Sequence, residues 1–415
     1  MISKITNSTE KVTPFGGLFF VIRDLKSKGL SELIETHLGK RAKQAKYSYS
    51  DMILNWTYCN LCGAERLEDI EKLRSSLDMD LPSHDSLGLV FKSLASRNSI
   101  IQGGKKAKQN HLFNINTPLN KLMVDTALKL DLLQPNKPYT LDYDNTIIEA
   151  RKQDVAKTYK WNYGYQPGVS FIGKVPVYIE GRNGNSNAEK SMCDTLKRGF
   201  KLLDQRDIKI NRFRSDAAAF QFDVIDLMEQ RDIKFYIRLV RNHSFRDKVR
   251  DAVKSWEKIT IKNTEIEIGE GVYSSRRFKN TYRMIVTKYK NNRGEQDYRA
   301  LLTNDPNMSP EEVLRFYNMR GAIERNFDDL KNNFNWGRLP FSFLKENTAF
   351  MIISAITSII YQYLVDKFSK KLDFVKRKHR LKNFIFHFML CSAILEEENL
   401  MLFTDRDYGP LLRDG

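Results

Sequence analysis

The chain has 415 residues, with 68 Lys and Arg against 51 Asp and Glu, and a formal net charge of +17 with histidine neutral. Hydrophobic residues at 41% can build substantial cores, and 21 glycines with 11 prolines are too few for a low-complexity or collagen-like chain, so disorder as the main state is excluded. A basic surplus of this size favours a polyanionic partner, nucleic acid ahead of an anionic membrane surface, and the length suggests two or three domains.

The first twenty residues carry Lys4, Glu10 and Lys11 ahead of a short apolar stretch, with no small-residue cleavage site, so no signal peptide is expected. Residues 1–130 form the first expected region, helical to about residue 110. Ser50 to Cys62, Arg66 to Leu77 and Ser86 to Leu94 are amphipathic runs separated by Gly63 and by Leu81-Pro82-Ser83, in the style of a helix-turn-helix. Lys40, Arg41, Lys43 and Lys46 flank them on one side and Lys105, Lys106 and Lys108 on the other. Two readings stand: a small DNA-reading module, or a helical packing domain with a solvated charged face. Cys59 and Cys62 form a C-x-x-C that could seed a zinc site or a redox pair. No second pair follows at zinc spacing and His37 and His84 are distant, so a buried helix turn is the expectation. Four cysteines are too sparse for a disulfide framework, which points to a reducing, cytoplasmic compartment.

From Tyr139 the pattern turns to strands. Tyr139, Leu141 and Tyr143 alternate with Thr140, Asp142 and Asp144, which places both acids on the face opposite the apolar residues. Gly168 to Ile172 and Val175 to Glu180 read as a hairpin turning at Gly173-Lys174. That reading sets aside the near match of Gly168 to Val175 to a phosphate-binding loop, which lacks the required Ser or Thr and the following helix. Asn187 can cap a helix reaching Asp204; a strand from Ile208 to Arg214, a helix from Ala218 to Glu229 and a strand from Ile233 to Leu239 follow. Three strands, helix, strand, helix, strand is the order of a ribonuclease-H-like core. Its closing helix is delayed: residues 241–305 read as a β-rich insertion, with runs Lys258 to Lys262, Glu265 to Ile268, Tyr282 to Tyr289 and Asp297 to Leu302 and a turn at Asn291 to Gly294. Ser309 as cap, Pro310 at the first helical position and Glu312 closing a capping box then start a helix that should run to about Asn335. The expected fold is therefore α/β: a ribonuclease-H-like core over 131–240 and 306–340, the insertion over 241–305, and helical N- and C-terminal regions over 1–130 and 341–415. Asn347 to Val365 is long enough to span a bilayer, but its Asn, Thr, Ser and Gln content favours a buried core helix, and no membrane partner is expected.

The late helix carries the most informative pattern. At about 100° per residue, Tyr317, Arg320, Glu324 and Lys331 fall within roughly 60° of one another, beside an apolar stripe of Phe316, Ile323, Phe327, Leu330 and Phe334. The polar stripe is either a solvated face with an Arg320–Glu324 pair in the less favourable orientation, or a metal-ligand carboxylate beside phosphate-binding groups. Asp144 and Asp216, at the ends of the first and fourth strands, tip the balance. Those strands are neighbours in such a sheet, and carboxylates converging from separate elements are what Mg²⁺ ions need to polarise a phosphodiester. Asp216 can also be read as a helix cap and Asp144 as a turn former.

Y-x2-R-x3-E-x6-K, as it stands in Tyr317, Arg320, Glu324 and Lys331, resembles the signature of a group of bacterial insertion-sequence transposases with a DDE catalytic triad. The similarity covers about residues 139–335 and the helical N-terminus. It implies a cut-and-paste enzyme in which Asp144, Asp216 and Glu324 hold two Mg²⁺ ions, or Mn²⁺ in their place. Activated water nicks the transposon end, and the freed 3′-hydroxyl attacks the opposite strand and later target DNA. Tyr317, Arg320 and Lys331 would grip phosphates near the cleaved end. Terminal inverted repeats and target DNA are the implied partners, with a homodimer in the synaptic complex. Asp144-Asn145-Thr146 matches the Asp-x-Thr common at the first acid, which favours Asp144 over Asp142. Some relatives stack a flipped base on an insertion-domain Trp; Trp256 lies in the insertion, but a packing role is the simpler reading. The basic run Lys367 to Lys382 reads either as a solvated face or as a DNA-backbone track. Two rivals remain: a transposase-derived repressor that binds without cutting, and a metal nuclease of the same fold without strand transfer.

Overall fold

The computed structural model describes residues 12–77, 79–102, 110–240, 245–261, 263–290, 294–396 and 399–412. Helices α1 (Gly17–Ser27), α2 (Leu30–Leu38), α3 (Tyr49–Leu61), α4 (Ile70–Ser76) and α5 (His84–Ser93) precede a strand pair, β1 (Asn98–Gln102) and β2 (Asn110–Asn114), and helix α6 (Thr117–Lys129). At the start of α3, Ser48 Oγ accepts from the Asp51 N–H at 3.0 Å and the Asp51 carboxylate accepts from the Ser48 N–H at 2.8 Å. From Met52 to Leu61 every residue of α3 is buried, Cys59 included, so this helix has no solvated face. It packs on a later core helix, with Trp56 against Phe350 and the Thr57 and Thr357 hydroxyls 3.0 Å apart. Of the two readings of the N-terminal region, packing accounts for α3. The β1–β2 pair corrects the all-helical reading to residue 110, and Lys105, Lys106 and Lys108 lie outside the described residues.

The central unit follows the expected order. It comprises β3 (Pro138–Asn145), three short strands β4 (Ile148–Glu149), β5 (Ala156–Lys157) and β6 (Tyr163–Tyr165), then β7 (Gly168–Ile172), β8 (Val175–Arg182), α7 (Met192–Asp204), β9 (Lys209–Ser215), α8 (Phe222–Gln230) and β10 (Lys234–Arg238). Gly173 takes φ +61°, the left-handed conformation that lets two residues close the β7–β8 hairpin, so the phosphate-loop look-alike is a β-turn. Helix α7 starts after Ser191 rather than at Asn187, whose side chain instead closes the preceding turn by accepting from the Lys190 N–H at 3.3 Å.

Among the described residues eleven strands form one sheet, ordered β1-β2-β8-β7-β3-β9-β10 and continued by the segment after β10. That segment contains α9 (Phe245–Ala252), β11 (Glu257–Ile261), β12 (Thr264–Tyr273), β13 (Tyr282–Lys290) and β14 (Gln296–Thr303). β3, β9 and β10 are parallel and the other pairs antiparallel. The β-rich insertion is therefore no separate sheet: β14 pairs with β10, with Ile237 opposite Leu302, and the strands continue outward from there. Asn291 to Arg293 and Lys262 lie outside the described residues.

Helices α10 (Pro310–Asn318) and α11 (Ala322–Asn332) come next, then the 26-residue α12 (Leu344–Ser369). Every residue of β8 is buried, which requires cover on both faces. Alternation gives the assignment: Tyr178 touches α7, while Gly181, of opposite parity, faces Thr348 of α12 so closely that an added Cβ would collide with it. The apolar window of α12 is 94% buried within the protein, as its polar content suggested. The C-terminal region is only partly helical. Beyond α13 (Leu381–Phe384) a hairpin of β15 (Ser392–Glu396) and β16 (Asn399–Phe403) receives the N-terminal segment, with the Thr13 N–H donating to the Ala393 carbonyl at 2.9 Å.

Candidate active site

β3 and β9 run parallel, with Asp142 opposite Arg214 and Tyr143 opposite Ser215, so Asp142, Asp144, Arg214 and Asp216 fall on one face near the strands' C-terminal ends. The inner acid, Asp142, is taken up structurally. The Arg214 guanidinium donates to both its oxygens at 2.7 Å and to the Phe316 carbonyl of α10 at 2.7 Å. Arg214 also lies over the Phe316 ring, 4.6 Å from its centroid. This pair is buried, bidentate and sealed by an aromatic ring.

Asp144, one step further out, has another environment. Arg320 donates to its Oδ2 at 2.6 Å and the Asn145 N–H to its Oδ1 at 2.8 Å. Burial pushes the Asp144 carboxyl up to about 6; the Arg320 charge opposes this and the Asp216 charge adds to it. Asp216 is half-buried, and its Oδ1 accepts from the Ala218 N–H at 2.9 Å, so it does cap the turn that follows while its charge is felt at Asp144. Arg320 is itself mostly covered; its Nε is buried without a partner, a donor left over for an incoming oxygen. Tyr317 lies in the same field, its phenol pushed up by burial against the pull of Arg320 and Arg238.

The helix carrying these groups is not the single rod that its sequence predicts. The capping box is present, with the Ser309 N–H donating to Glu312 at 2.7 Å and Ser309 Oγ accepting from the Glu312 N–H at 3.3 Å. Met319–Gly321 then forms a 3₁₀ turn between α10 and α11. Three residues at 3.0 rather than 3.6 per turn rotate all that follows by about 60°. The apolar stripe divides accordingly. Phe316 joins Tyr236, Val313 and Leu314 over the outer strands, whereas Ile323, Phe327, Leu330 and Phe334 pack in the main core, Phe327 edge-on to Phe171 of β7.

The polar stripe divides too. Tyr317 and Arg320 sit with Asp144 and Asp216. Glu324, in the first turn of α11, is exposed. Lys331 is half-buried among Lys160, Asp328 and Glu149, its ammonium pushed down by burial and by Lys160. Among the described residues no group of three or more His, Cys, Asp or Glu is gathered to hold a metal ion. Asp144, desolvated at the end of β3, nonetheless feels the charge of Asp216, just past β9, and is paired with the Arg320 guanidinium. A divalent metal suits two such acids. Arg214 was missed in the sequence, although Arg212, Arg214 and Asp216 alternate on one strand face, and that periodicity beside Asp142 and Asp144 was the signal for it.

Trp256 is half-buried, 5.8 Å from Tyr298, with Lys288 Nζ 3.9 Å over its ring, which is a packed position. Within the basic run, Lys367 pairs with Asp24, Lys370 and Arg377 with Asp366, and Arg380 with Asp328, while Leu372 and Val375 are buried.

This site stands in a chain whose residues 4–382 match the family model described as transposase DDE domain group 1. The chain belongs to that DDE transposase family and is a DNA-transposing enzyme; enzymes of this family act with divalent metal ions. Its structure is similar to the piggyBac transposase in a cryo-EM synaptic complex with hairpin DNA. Identity is 11% and the TM-score 0.42, over 90% of this chain and 78% of that one. No curated protein matches it.

Proposed function

We propose that the protein is a cut-and-paste transposase of the bacterial insertion-sequence group marked by Tyr, Arg, Glu and Lys, acting in the cytoplasm on its element's inverted-repeat ends. The observation that carries this reading is the meeting of Asp144, Asp216, Arg320 and Tyr317, from three separate chain segments, in one electrostatic field at the C-terminal ends of β3 and β9. The strand order β8-β7-β3-β9-β10 supports a ribonuclease-H-like core over 131–240 and 306–340, which the strands within 241–305 extend.

In this reading Asp144, Asp216 and Glu324 hold Mg²⁺ or Mn²⁺, which when bound supplies the positive charge that stabilises the phosphodiester transition state. Asp142 with Arg214 fixes the strand ends on which Asp144 and Asp216 stand. Arg320 exchanges its hydrogen bond to Asp144 for the phosphate, its free Nε completing a forked contact, while Tyr317 and Lys331 hold flanking phosphates. Hydrolysis breaks one P–O bond at the element's end and leaves a 3′-hydroxyl. Attack of that hydroxyl on another phosphodiester forms one P–O bond and breaks one. A homodimer holds two ends for this exchange.

A second reading of the site, favoured by the exposure of Glu324, keeps cleavage but leaves Glu324 out of the triad. Incubation with end DNA and Mg²⁺ separates the two. The wild type should nick and join, and Glu324→Gln should bind the ends yet lose at least 100-fold in cleavage (roughly 3 kcal/mol). Equal cleavage by Glu324→Gln would remove Glu324 from the triad, and binding of the ends without cleavage by the wild type would overturn the cut-and-paste reading.

A further inference from the structure

The loop between β5 and β6 lies outside every role assigned above. Tyr159 and Trp161 project from it and Tyr163 from the first position of β6, at 65%, 78% and 58% exposure, three large aromatic rings at every second position. Singly exposed aromatics are ordinary; three together on five residues of a basic loop are not. Trp161 has φ +69°, a conformation that disfavours a bulky side chain and survives only where its surroundings impose it.

The surroundings do impose it. The Trp161 N–H donates to the Thr158 carbonyl at 3.0 Å and the Thr158 N–H to the Asn162 carbonyl at 2.8 Å, while the Thr158 hydroxyl donates to Asn162 Oδ1. Asn162 Nδ2 in turn donates to Glu149 at 2.5 Å. Below the tip, the Tyr165 hydroxyl donates to Asp154 at 2.5 Å, and Asp154 accepts the Leu344 N–H at the start of α12 at 2.9 Å. The segment from β4 to β6 is thus braced on the core helix: Asp154, ahead of β5, is turned inward, and Glu149 of β4 is engaged by Asn162. Residues 150–165 otherwise carry Arg151, Lys152, Lys157 and Lys160. Lys157 Nζ lies 4.5 Å over the Trp161 ring.

The placement relative to the acids matters as much. β4 follows directly on Asp144-Asn145-Thr146, so the small sheet grows from the end of the strand bearing Asp144. Lys331 of α11 shares an electrostatic neighbourhood with Lys160 and Glu149, which joins the loop to the late helix. We propose that Tyr159, Trp161 and Tyr163 form an aromatic finger that stacks on unpaired bases of a DNA strand beside the active site, with Lys157, Lys160 and Lys331 neutralising that strand's phosphates. Ring faces suit any base, and ammonium groups on a short rigid loop suit the closely spaced phosphates of a single strand. The inference rests on the transposase reading for the identity of DNA as the ligand.

The test uses the full-length protein with a fluorescein-labelled oligothymidylate and with a labelled duplex. Trp56 and Trp336 are buried and Trp256 half-buried, so oligothymidylate should quench the emission of the wild type chiefly through Trp161. Trp161→Ala should bind the single strand about tenfold more weakly, with duplex binding within about twofold of wild type. Trp161→Phe should retain most of the single-strand affinity while losing the quench. Equal single-strand affinity in Trp161→Ala and wild type, or a wild-type emission that the oligonucleotide leaves unchanged, overturns the finger and leaves the transposase reading standing. Failure of the wild type to bind either DNA overturns both. A shift in oligomeric state on Trp161→Ala without DNA overturns the proposal in favour of a second copy as the occupant.

Discussion

Asp142 and Asp144 share a strand face and differ only in what meets them, and that difference sets opposite expectations for the same substitution. Asp142→Asn leaves the buried Arg214 guanidinium without its bidentate partner, which should cost about 3–5 kcal/mol of stability. A guanidinium chloride melt would show it as a lowered midpoint. Asp144→Asn removes a carboxylate that burial already disfavours, so the melt should change much less while end cleavage is lost. A large loss of stability in Asp144→Asn with Asp142→Asn unaffected would reverse the two roles. Parity alone could not rank these acids in the sequence. The Asp-x-Thr resemblance favours Asp144, and the engagement of Asp142 by Arg214 on the neighbouring strand is seen only once the β3–β9 register is known.

At the scale of elements, local chemistry was legible and its geometric consequence was not. Ser309-Pro310-Glu312 announced the start of α10, the β7–β8 turn was readable at Gly173-Lys174, and the strand and helix order of the central unit came through. The 3₁₀ turn at Met319–Gly321 gave no signal, because Asn318, Gly321 and Ala322 all keep right-handed helical angles and the rotation comes from packing α10 and α11 on two different cores. Gly321 has open space around it and φ −54°, so Gly321→Ala should stabilise the chain by about 0.5–1 kcal/mol through lower unfolded-state entropy. It should also slow end cleavage by stiffening the joint between Arg320 and Glu324. Thermal melts and single-turnover nicking report the two effects separately, and an unchanged nicking rate would show that Glu324 needs no movement at that joint. Gly181 marks a tighter demand: Gly181→Ala forces β8 away from Thr348 on α12 and should cost about 1–3 kcal/mol, read as a lower melting midpoint.

On the scale of the whole molecule, α3, β8 and α12 bring the N-terminal helices, the sheet and the C-terminal region into one hydrophobic core among the described residues. Part of the basic run after α12 is paired internally, Lys370 and Arg377 sharing Asp366 and Arg380 meeting Asp328. Lys331 lies among another ammonium, Lys160, and the carboxylates of Asp328 and Glu149, and a bound phosphate would relieve the repulsion by Lys160. Counterion release makes the logarithm of end-binding affinity fall linearly with the logarithm of salt concentration, with a slope close to the number of neutralised phosphates. Lys331→Ala should therefore reduce that slope by about 1. Lys370→Ala, which breaks an exposed i, i+4 pair, should leave it unchanged. A salt titration of end binding for the two variants decides between the tracts: if Lys370→Ala flattens the slope and Lys331→Ala does not, the DNA backbone runs along the chain after α12 and not past the late helix.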